Sequence, residues 1–348
     1  MKHTKLLAVL LTVALLLTLF AGCAKTEALA AEEPAQEAPQ ETPAAPEASD
    51  VEAPAADSEP EPEAAPEVPE EAPSAAVTIT DMKGREITLE KPAERIVALT
   101  ASDCEILYAI GAGDTLVGRG TYCDYPAEVL EVPAVESGAS TNVEEIIALD
   151  PDVLLMSDMA QTEEQIQQLE AAGIRVVVSE ATDIAGVYTA IEMIGALMGK
   201  EENAAAVIES MQSTFAAIQE QSTGDGSQTI YFEVSPLQYG LWTAGTNTFM
   251  DEIAAMLGLT NCFADVEGWG EISEEQLLER NPDFIVTITM YFGEGPTPEE
   301  EILARPGWEN VTAVKNNAIL NLQNNELSRP APRLADGAQM LFDFVYGE

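Results

Sequence analysis

Histidine is all but missing from this chain. The one copy, His3, lies ahead of the first apolar run and leaves with it when a signal segment is cleaved. A Ser-His-Asp triad, a histidine-bound zinc and a histidine-ligated haem are then excluded. Cysteine is scarce as well. Beyond Cys23 only Cys104, Cys123 and Cys262 remain. They are odd in number, widely spaced and without a CxxC pair, so no disulfide framework is expected. Positive charge is in deficit: 15 Lys and Arg stand against 61 Asp and Glu, a net charge of −46. Nucleic acid and anionic lipid surfaces are therefore poor partners. Phosphate loops are missing too. "GAGDTLVG" follows a helical pattern and lacks the third glycine of GxGxxG, and "MGKE" lacks the Walker spacing. With no catalytic constellation in view, the chain reads as a binding protein rather than an enzyme.

Only one long apolar run is present, Leu6 to Phe20, preceded by Lys2 and Lys5. It has the layout of a secretory signal and is short for a membrane span. It ends in "FAGC", which resembles the lipobox of bacterial lipoproteins, with Phe20 where Leu is usual and Cys23 as the lipidated residue. The resemblance implies a leader over 1–22 and several acyl chains on Cys23, a stable anchor. Residues 23–76 are Ala, Glu and Pro without an aromatic residue, and about fifteen acids face one base, Lys25. Such a segment buries too little apolar surface to offset the entropy of ordering. It is expected to be an acidic, disordered tether, spanning roughly 40 Å as a coil and roughly 160 Å fully extended. The rest carries roughly −34.

Beyond the tether the pattern becomes that of a folded α/β protein. "VTITDMKGREITL" alternates about Gly84 and predicts a β-hairpin. "RIVALT", "LVGRG", "DVLLMS" and "IRVVVSE" are apolar strands separated by helical stretches. A helix capped at Ser102 or Asp103 runs to Ile110, and another covers Thr162 to Ala172. Strand–helix alternation implies mainly parallel sheets covered on both faces. From 182 to 222 the strands stop and two helical periods follow. Alternation then resumes with "TIYFEVS", a helix capped at Thr246 or Asn247, "DFIVTI", "AVKNNAILNL" and a last helix from about Pro332. The expected architecture is an N-terminal lobe over 77–181, a helical connector over 182–222 and a C-terminal lobe over 223–348.

One phrase occurs twice. "NVEEIIALDPDVLLMS" begins at Asn142 and "SEEQLLERNPDFIVTI" at Ser273, and they align without a gap. Each supplies a polar cap, a short helix, Pro-Asp and a buried strand. The cap-x-x-Glu/Gln spacing predicts capping boxes with Glu145 and Gln276. Glu144 and Glu275 sit one place earlier, where the box does not need them and the helix dipole favours them weakly.

"PAERIVAL", "TYCDYP", "NVEEIIALDPDVL", "DVEGWGEIS", "NPDFIV", "RPGW" and "RPAPRL" occur in this order over nearly all of Val77 to Glu348. Together they resemble the substrate-binding proteins of ABC importers for iron–siderophore complexes, haem and vitamin B12. The resemblance implies two β/α lobes joined by a long helix (a class III periplasmic-binding-protein fold), with ligand in the cleft between them and no intrinsic cofactor or metal. It implies a ferric siderophore, corrinoid or haem as ligand, and a permease dimer with ATPase subunits as partner. In the B12 binders one glutamate per lobe engages permease arginines; by motif these are Glu144 and Glu275. Tyr122 matches a ligand-facing Tyr and Trp269 a ligand-facing Trp, while "SGAST" stands where that group has a second Trp before "NVEE". Trp242, read as following a strand end, is expected on the opposite wall, and Tyr291 after the strand "DFIVTITM". A haem binder would use Tyr122 as axial ligand. Arg333 opens the last helix, where the dipole disfavours a cation, so it needs an anionic partner: a ligand carboxylate, a ferric chelate or a structural Asp. Delivery to a permease places the protein on the outer face of the membrane of a one-membrane bacterium. A lipid-anchored hydrolase or an adhesin is the rival class.

Overall fold

A computed structural model of the chain describes residues 76–157, 162–323 and 325–347. The leader, Cys23 and the tether up to residue 75 lie outside the described residues. The predicted hairpin is β1 (Val77–Thr80) paired antiparallel with β2 (Glu86–Leu89), with Gly84 at φ +77° in the turn. Buried Asp81 fixes it to the first lobe: the Lys83, Arg85 and Val178 backbone N–H groups and the Arg85 guanidinium all donate to its carboxylate. Burial alone would raise that carboxyl; these donors outweigh it and hold it below its usual range.

The first lobe is a wholly parallel sheet. β3 (Ile96–Ala98), β4 (Leu116–Gly120), β5 (Ala134–Val135), β6 (Val153–Met156) and β7 (Arg175–Val178) stand in the order β5-β4-β3-β6-β7. Both faces of such a sheet must be covered, and every residue of "VLLM" in β6 is buried. The connecting helices are α1 (Ala101–Ala109), α2 (Val143–Ala148) and α3 (Glu163–Ala171). The 182–222 stretch resolves into two helices. α4 (Ile184–Leu197) packs on β1 and α1 and so belongs to the first lobe. α5 (Glu201–Gln221), about 31 Å long by its residue count, is the bridge.

In the second lobe β8 (Thr229–Glu233), β12 (Phe284–Thr287) and β13 (Ile319–Asn321) form a parallel core, with β10 (Thr260–Asn261) alongside β8. β9 (Leu241–Ala244) and β11 (Trp269–Ile272) add an antiparallel edge, so this sheet is mixed, in the order β11-β9-β8-β12-β13. Its helices are α6 (Phe249–Met256), α7 (Glu274–Arg280), α8 (Pro298–Leu303), α9 (Thr312–Lys315) and α10 (Leu334–Tyr346). α5 packs against α4, α6 and α10, and one apolar cluster runs from Ile96 and Ile106 through Phe215 and Ile218 to Phe232 and Leu334.

The repeated phrase builds the same joint in each lobe. Asn142 and Ser273 cap α2 and α7; Gln276 completes a capping box, whereas at Asn142 only the bond from the Glu145 N–H is made. Each helix ends in a left-handed residue before Pro-Asp, Asp150 at φ +49° and Asn281 at φ +47°. The following aspartate then clamps the lead-in to the neighbouring central strand. Asp152 accepts from the Glu94 and Arg95 N–H groups ahead of β3. Asp283 accepts from the Thr229 N–H and hydroxyl at the start of β8.

Two helix starts differ from the sequence reading. α6 is capped by Thr248 rather than Thr246 or Asn247. α1 begins after Thr100, so Asp103 lies inside its first turn rather than at its cap. Asp103 is wholly buried; Oδ2 accepts from the Thr100 hydroxyl and Oδ1 makes no hydrogen bond of good geometry among the described residues. Burial therefore pushes its carboxyl from an ordinary 3.8 to about 6, only partly offset by Thr100 and Ser179. Between these values the folded chain holds a proton that the unfolded chain has lost. Stability from this group thus rises as pH falls from about 6 towards 4, and the ionised group costs the fold up to about 3 kcal/mol above that window. Asp103→Asn should raise stability by about 1–3 kcal/mol near pH 8 and change it little near pH 4. Urea melts at the two pH values decide it; equal shifts at both would refute the account.

Candidate functional site

The lobes meet through contacts from both halves of the first sheet. After the edge strand β7, the Phe249 N–H donates to the Thr182 carbonyl at 2.9 Å and the Ile184 N–H to Glu252 at 2.8 Å. On the β3–β4 side the contact is ionic. Glu105, on α1, is 3% exposed. Arg333, just ahead of α10, grips both of its oxygens at 2.9 and 2.7 Å. Arg329 reaches Glu105 at 3.0 Å, Asp124 at 2.6 Å and the Tyr122 carbonyl at 3.1 Å. The Arg333 guanidinium also lies 3.8 Å from the centre of the Tyr125 ring. Burial acts to lower both arginines, and the carboxylates outweigh it and raise them. Of the partners left open for Arg333 by the sequence, the structure supplies an internal acid, a Glu rather than an Asp.

Aromatic residues flank these contacts. Tyr122, whose carbonyl receives Arg329, is 79% exposed. Trp269 packs 5.7 Å from Phe249, the residue that bonds to Thr182. Trp242 needs a correction. It lies within β9, not after a strand end, and register pairs it with Glu271 while Trp269 pairs with Ala244. Residues two apart in a strand share a face, so Trp242 and Trp269 stand diagonally on one side of the β9–β11 pair and do not form opposite walls. Tyr291 is half-buried in the loop after β12, its hydroxyl donating to Gly295 at 3.3 Å.

That loop also carries residues that the sequence reading missed. Phe292 is 83% exposed, and Tyr239, after β8, is 71% exposed. Leu237, Met290, Tyr291 and Phe292 line a cavity of about 690 Å3 beyond the ends of β8 and β12. The available signal was an aromatic pair in a loop held by Gly293 and Gly295, both at positive φ. A second cavity, of about 410 Å3, lies beside the bridging helix α5 among Tyr108, Tyr125, Met211 and Arg333.

Glu144 and Glu275 are exposed in the first turns of α2 and α7. Their neighbours separate the roles within the second pair. Glu274 accepts from the indole N–H of fully buried Trp308 at 2.7 Å, and Glu275 beside it is exposed. Its own backbone N–H, then the Ser273 hydroxyl, hold the Glu275 carboxyl below its usual range, so it is ionised at neutral pH. The "RPGW" turn beside Trp308 is braced by buried Arg305, bonded to both oxygens of Glu233 at 2.6 and 2.8 Å and to Glu301 at 2.6 Å.

Cys104, Cys123 and Cys262 are free thiols. Cys104 and Cys123 are buried and both approach the Ala98 carbonyl. Among the described residues no group of three or more His, Cys, Asp or Glu is placed to hold a metal ion, and no helix is long and apolar enough to cross a membrane.

Residues 96–326 match the periplasmic binding protein family. An uncharacterized ABC transporter substrate-binding lipoprotein of Bacillus subtilis is 36% identical over 276 residues, 78% of this chain and 85% of that one. A cobalamin-binding protein of Halobacterium salinarum is 29% identical over 275 residues, 77% of this chain and 73% of the other. Among solved structures, a possible iron-binding periplasmic solute-binding protein of Staphylococcus epidermidis superposes with a TM-score of 0.62 at 31% identity, covering 74% of this chain and all of that one. Two β/α lobes on a bridging helix, with aromatic residues at their junction, agree with these likenesses: the chain belongs to the periplasmic binding protein family, as a substrate-binding protein of the ABC-transporter type.

Proposed function

We propose that the protein captures one large metal chelate, a ferric siderophore or a corrinoid, between its lobes and delivers it unchanged to an importer. The observation that carries this is the placement of exposed Tyr122 and Trp269 beside separate inter-lobe contacts, one on each lobe. Ligand sites favour aromatic walls held by rigid elements; Tyr122 stands on a loop tied to the lobe junction and Trp269 at the start of β11, against Phe249. The cobalamin-binding relative supports a corrinoid and the iron-binding structure a ferric chelate. Trp242, Tyr291 and Arg333 belong to the same reading, the first two as flanking aromatics and Arg333 as the brace behind Tyr125. Tyr122→Ala and Trp269→Ala should each weaken binding by about 1–3 kcal/mol, the loss of an aromatic wall. Tryptophan-quenching titrations with cyanocobalamin and ferrioxamine B measure this; two variants binding as wild type would sink the assignment.

Docking falls to Glu144 and Glu275, one per lobe, which accept charge-assisted hydrogen bonds from permease arginines. The capped helices fix them at the start of equivalent turns, and the engagement of Glu274 by Trp308 leaves Glu275 as the outward member of its pair. The double Glu144→Ala, Glu275→Ala variant should keep its ligand affinity and melting temperature and lose uptake, more than either single change. Normal uptake at matched protein level would show that the repeat serves construction alone.

Cys23 anchors the protein at the outer face of a one-membrane cell, and 23–76 acts as its tether. The "FAGC" sequence and the lipoprotein relative of Bacillus subtilis support this. Cys23→Ala should move the protein from the membrane fraction to the medium, with ligand binding intact; retention in the membrane fraction would refute the anchor.

A further inference from the structure

The lysines and arginines of this chain are distributed in a way that bears on which ligand the cleft can hold. Apart from Lys2, Lys5 and Lys25, all of them lie in the described residues. In open α/β sheets, ligands bind beyond the C-terminal ends of the strands. Most of the cations are elsewhere. Arg95 precedes β3 and Arg175 opens β7, with Lys91 and Lys200 close by at the strand-start end; Lys91 pairs with Glu94. Arg280 and Lys315 precede β12 and β13, and Arg280 pairs with Asp265. Lys83 and Arg85, on the β1–β2 hairpin, pair with Glu180 and Asp81. Arg305 is buried on Glu233 and Glu301. Arg119, near the end of β4, donates to the carbonyls of Val132, Gly120 and Cys123.

Lys83 and Glu180 pair just past the end of β7, near the Thr182 contact. At the other contact, among the described residues, only Arg329 and Arg333 remain, and both are already committed. Their two charges face three carboxylates, Glu105, Asp124 and Glu326. Further acids stand with the aromatics. Glu271 is directly opposite Trp242 on the same sheet face, and Glu294 lines the cavity beside Tyr291 and Phe292. A second, independent observation points the same way. The segment from β13 to Arg333 holds two buried oxygens, Asn321 Oδ1 and Glu326 Oε2, that accept no hydrogen bond among the described residues.

We infer, on the chelate-capture reading above, that the cleft selects by charge: it admits neutral or cationic ligands with donor-rich amide, hydroxyl or ammonium peripheries and excludes polyanionic chelates. Aromatic faces edged by carboxylates attract cations. An anionic ligand would meet like charge with no free guanidinium to answer it, and such juxtaposition is how specificity against a competitor is built. The strongly negative surface slows its approach as well.

Matched probes on one scaffold separate charge from shape. Dicyanocobinamide carries amides where dicyanocobyrinic acid carries carboxylates on the same ring. Cationic ferrioxamine B and trianionic ferric enterobactin form a second pair. Full-length protein in detergent should bind the amide corrinoid and ferrioxamine B at least about tenfold tighter than their anionic counterparts. The ratio should shrink in about 0.5 M salt. Asp124→Asn, at an exposed acid that pairs with Arg329, and Glu294→Gln should each narrow the corrinoid ratio several-fold by favouring the acid form. An anionic probe binding as tightly as its partner, or variants that leave the ratio unchanged, overturns charge selection while chelate binding stands. If none of the four probes binds, the chelate reading itself fails, and this inference with it.

Discussion

Glu105 is a carboxylate taken out of water, and the relation between the lobes depends on what meets it there. An unpaired charge at such burial would cost several kcal/mol. Arg329 and Arg333, from the far end of the chain, remove that cost and in doing so hold the segment between β13 and α10 against α1. The same arginines reach the Tyr122–Tyr125 loop, through Asp124, the Tyr122 carbonyl and the face of Tyr125. A single anion therefore positions one aromatic wall and one lobe edge together. Opposite it, the Phe249–Thr182 and Ile184–Glu252 bonds hold the second contact and bring Trp269 to the junction. With α5 packed on α4, α6 and α10 as the third connection, the lobes are joined at three places.

The duplicated phrase shows how one joint serves two ends. Its capped helix start carries an outward glutamate, and its Pro-Asp carries an inward aspartate that sets the neighbouring central strand. Asp152 and Asp283 are the constructional half of the repeat; Glu144 and Glu275 are the half that faces outward. Because the joint is the same in both lobes, the two glutamates occupy equivalent places on two similar bodies. A partner made of two similar subunits would meet such an arrangement symmetrically.

Much of this was legible in the residues. The signal-like start, the acidic Ala/Glu/Pro stretch, the strand–helix alternation and the double phrase are local patterns, and local patterns are set by spacing, charge and turn chemistry within a few residues. Helix starts slipped by one to three positions where several Ser, Thr, Asn and Asp stand together, as at Thr100–Asp103 and Thr246–Thr248, because any of them can cap and packing chooses among them. The antiparallel β9–β11 pair escaped because its strands are separated by α6 and β10, and no turn sequence joins them. That omission is also why Trp242 was read as following a strand end rather than lying within β9.

By itself, then, the sequence determined the compartment signal, the charge, the two-lobe α/β alternation and the equivalence of Glu144 with Glu275, since each follows from neighbours along the chain. Only the tertiary structure decided that Arg333 answers Glu105, that Trp242 stands beside Trp269, that Phe292 and Tyr239 are exposed, and that the cations near the junction are already neutralised. Glu105 and Asp124, the hydrogen-bonded acids of Arg333 and Arg329, lie some two hundred residues away in sequence. Nothing within helical or strand reach of an arginine tells which distant carboxylate folding will bring to it, because that choice is made by burial, where an ion must find its counter-charge or stay in water.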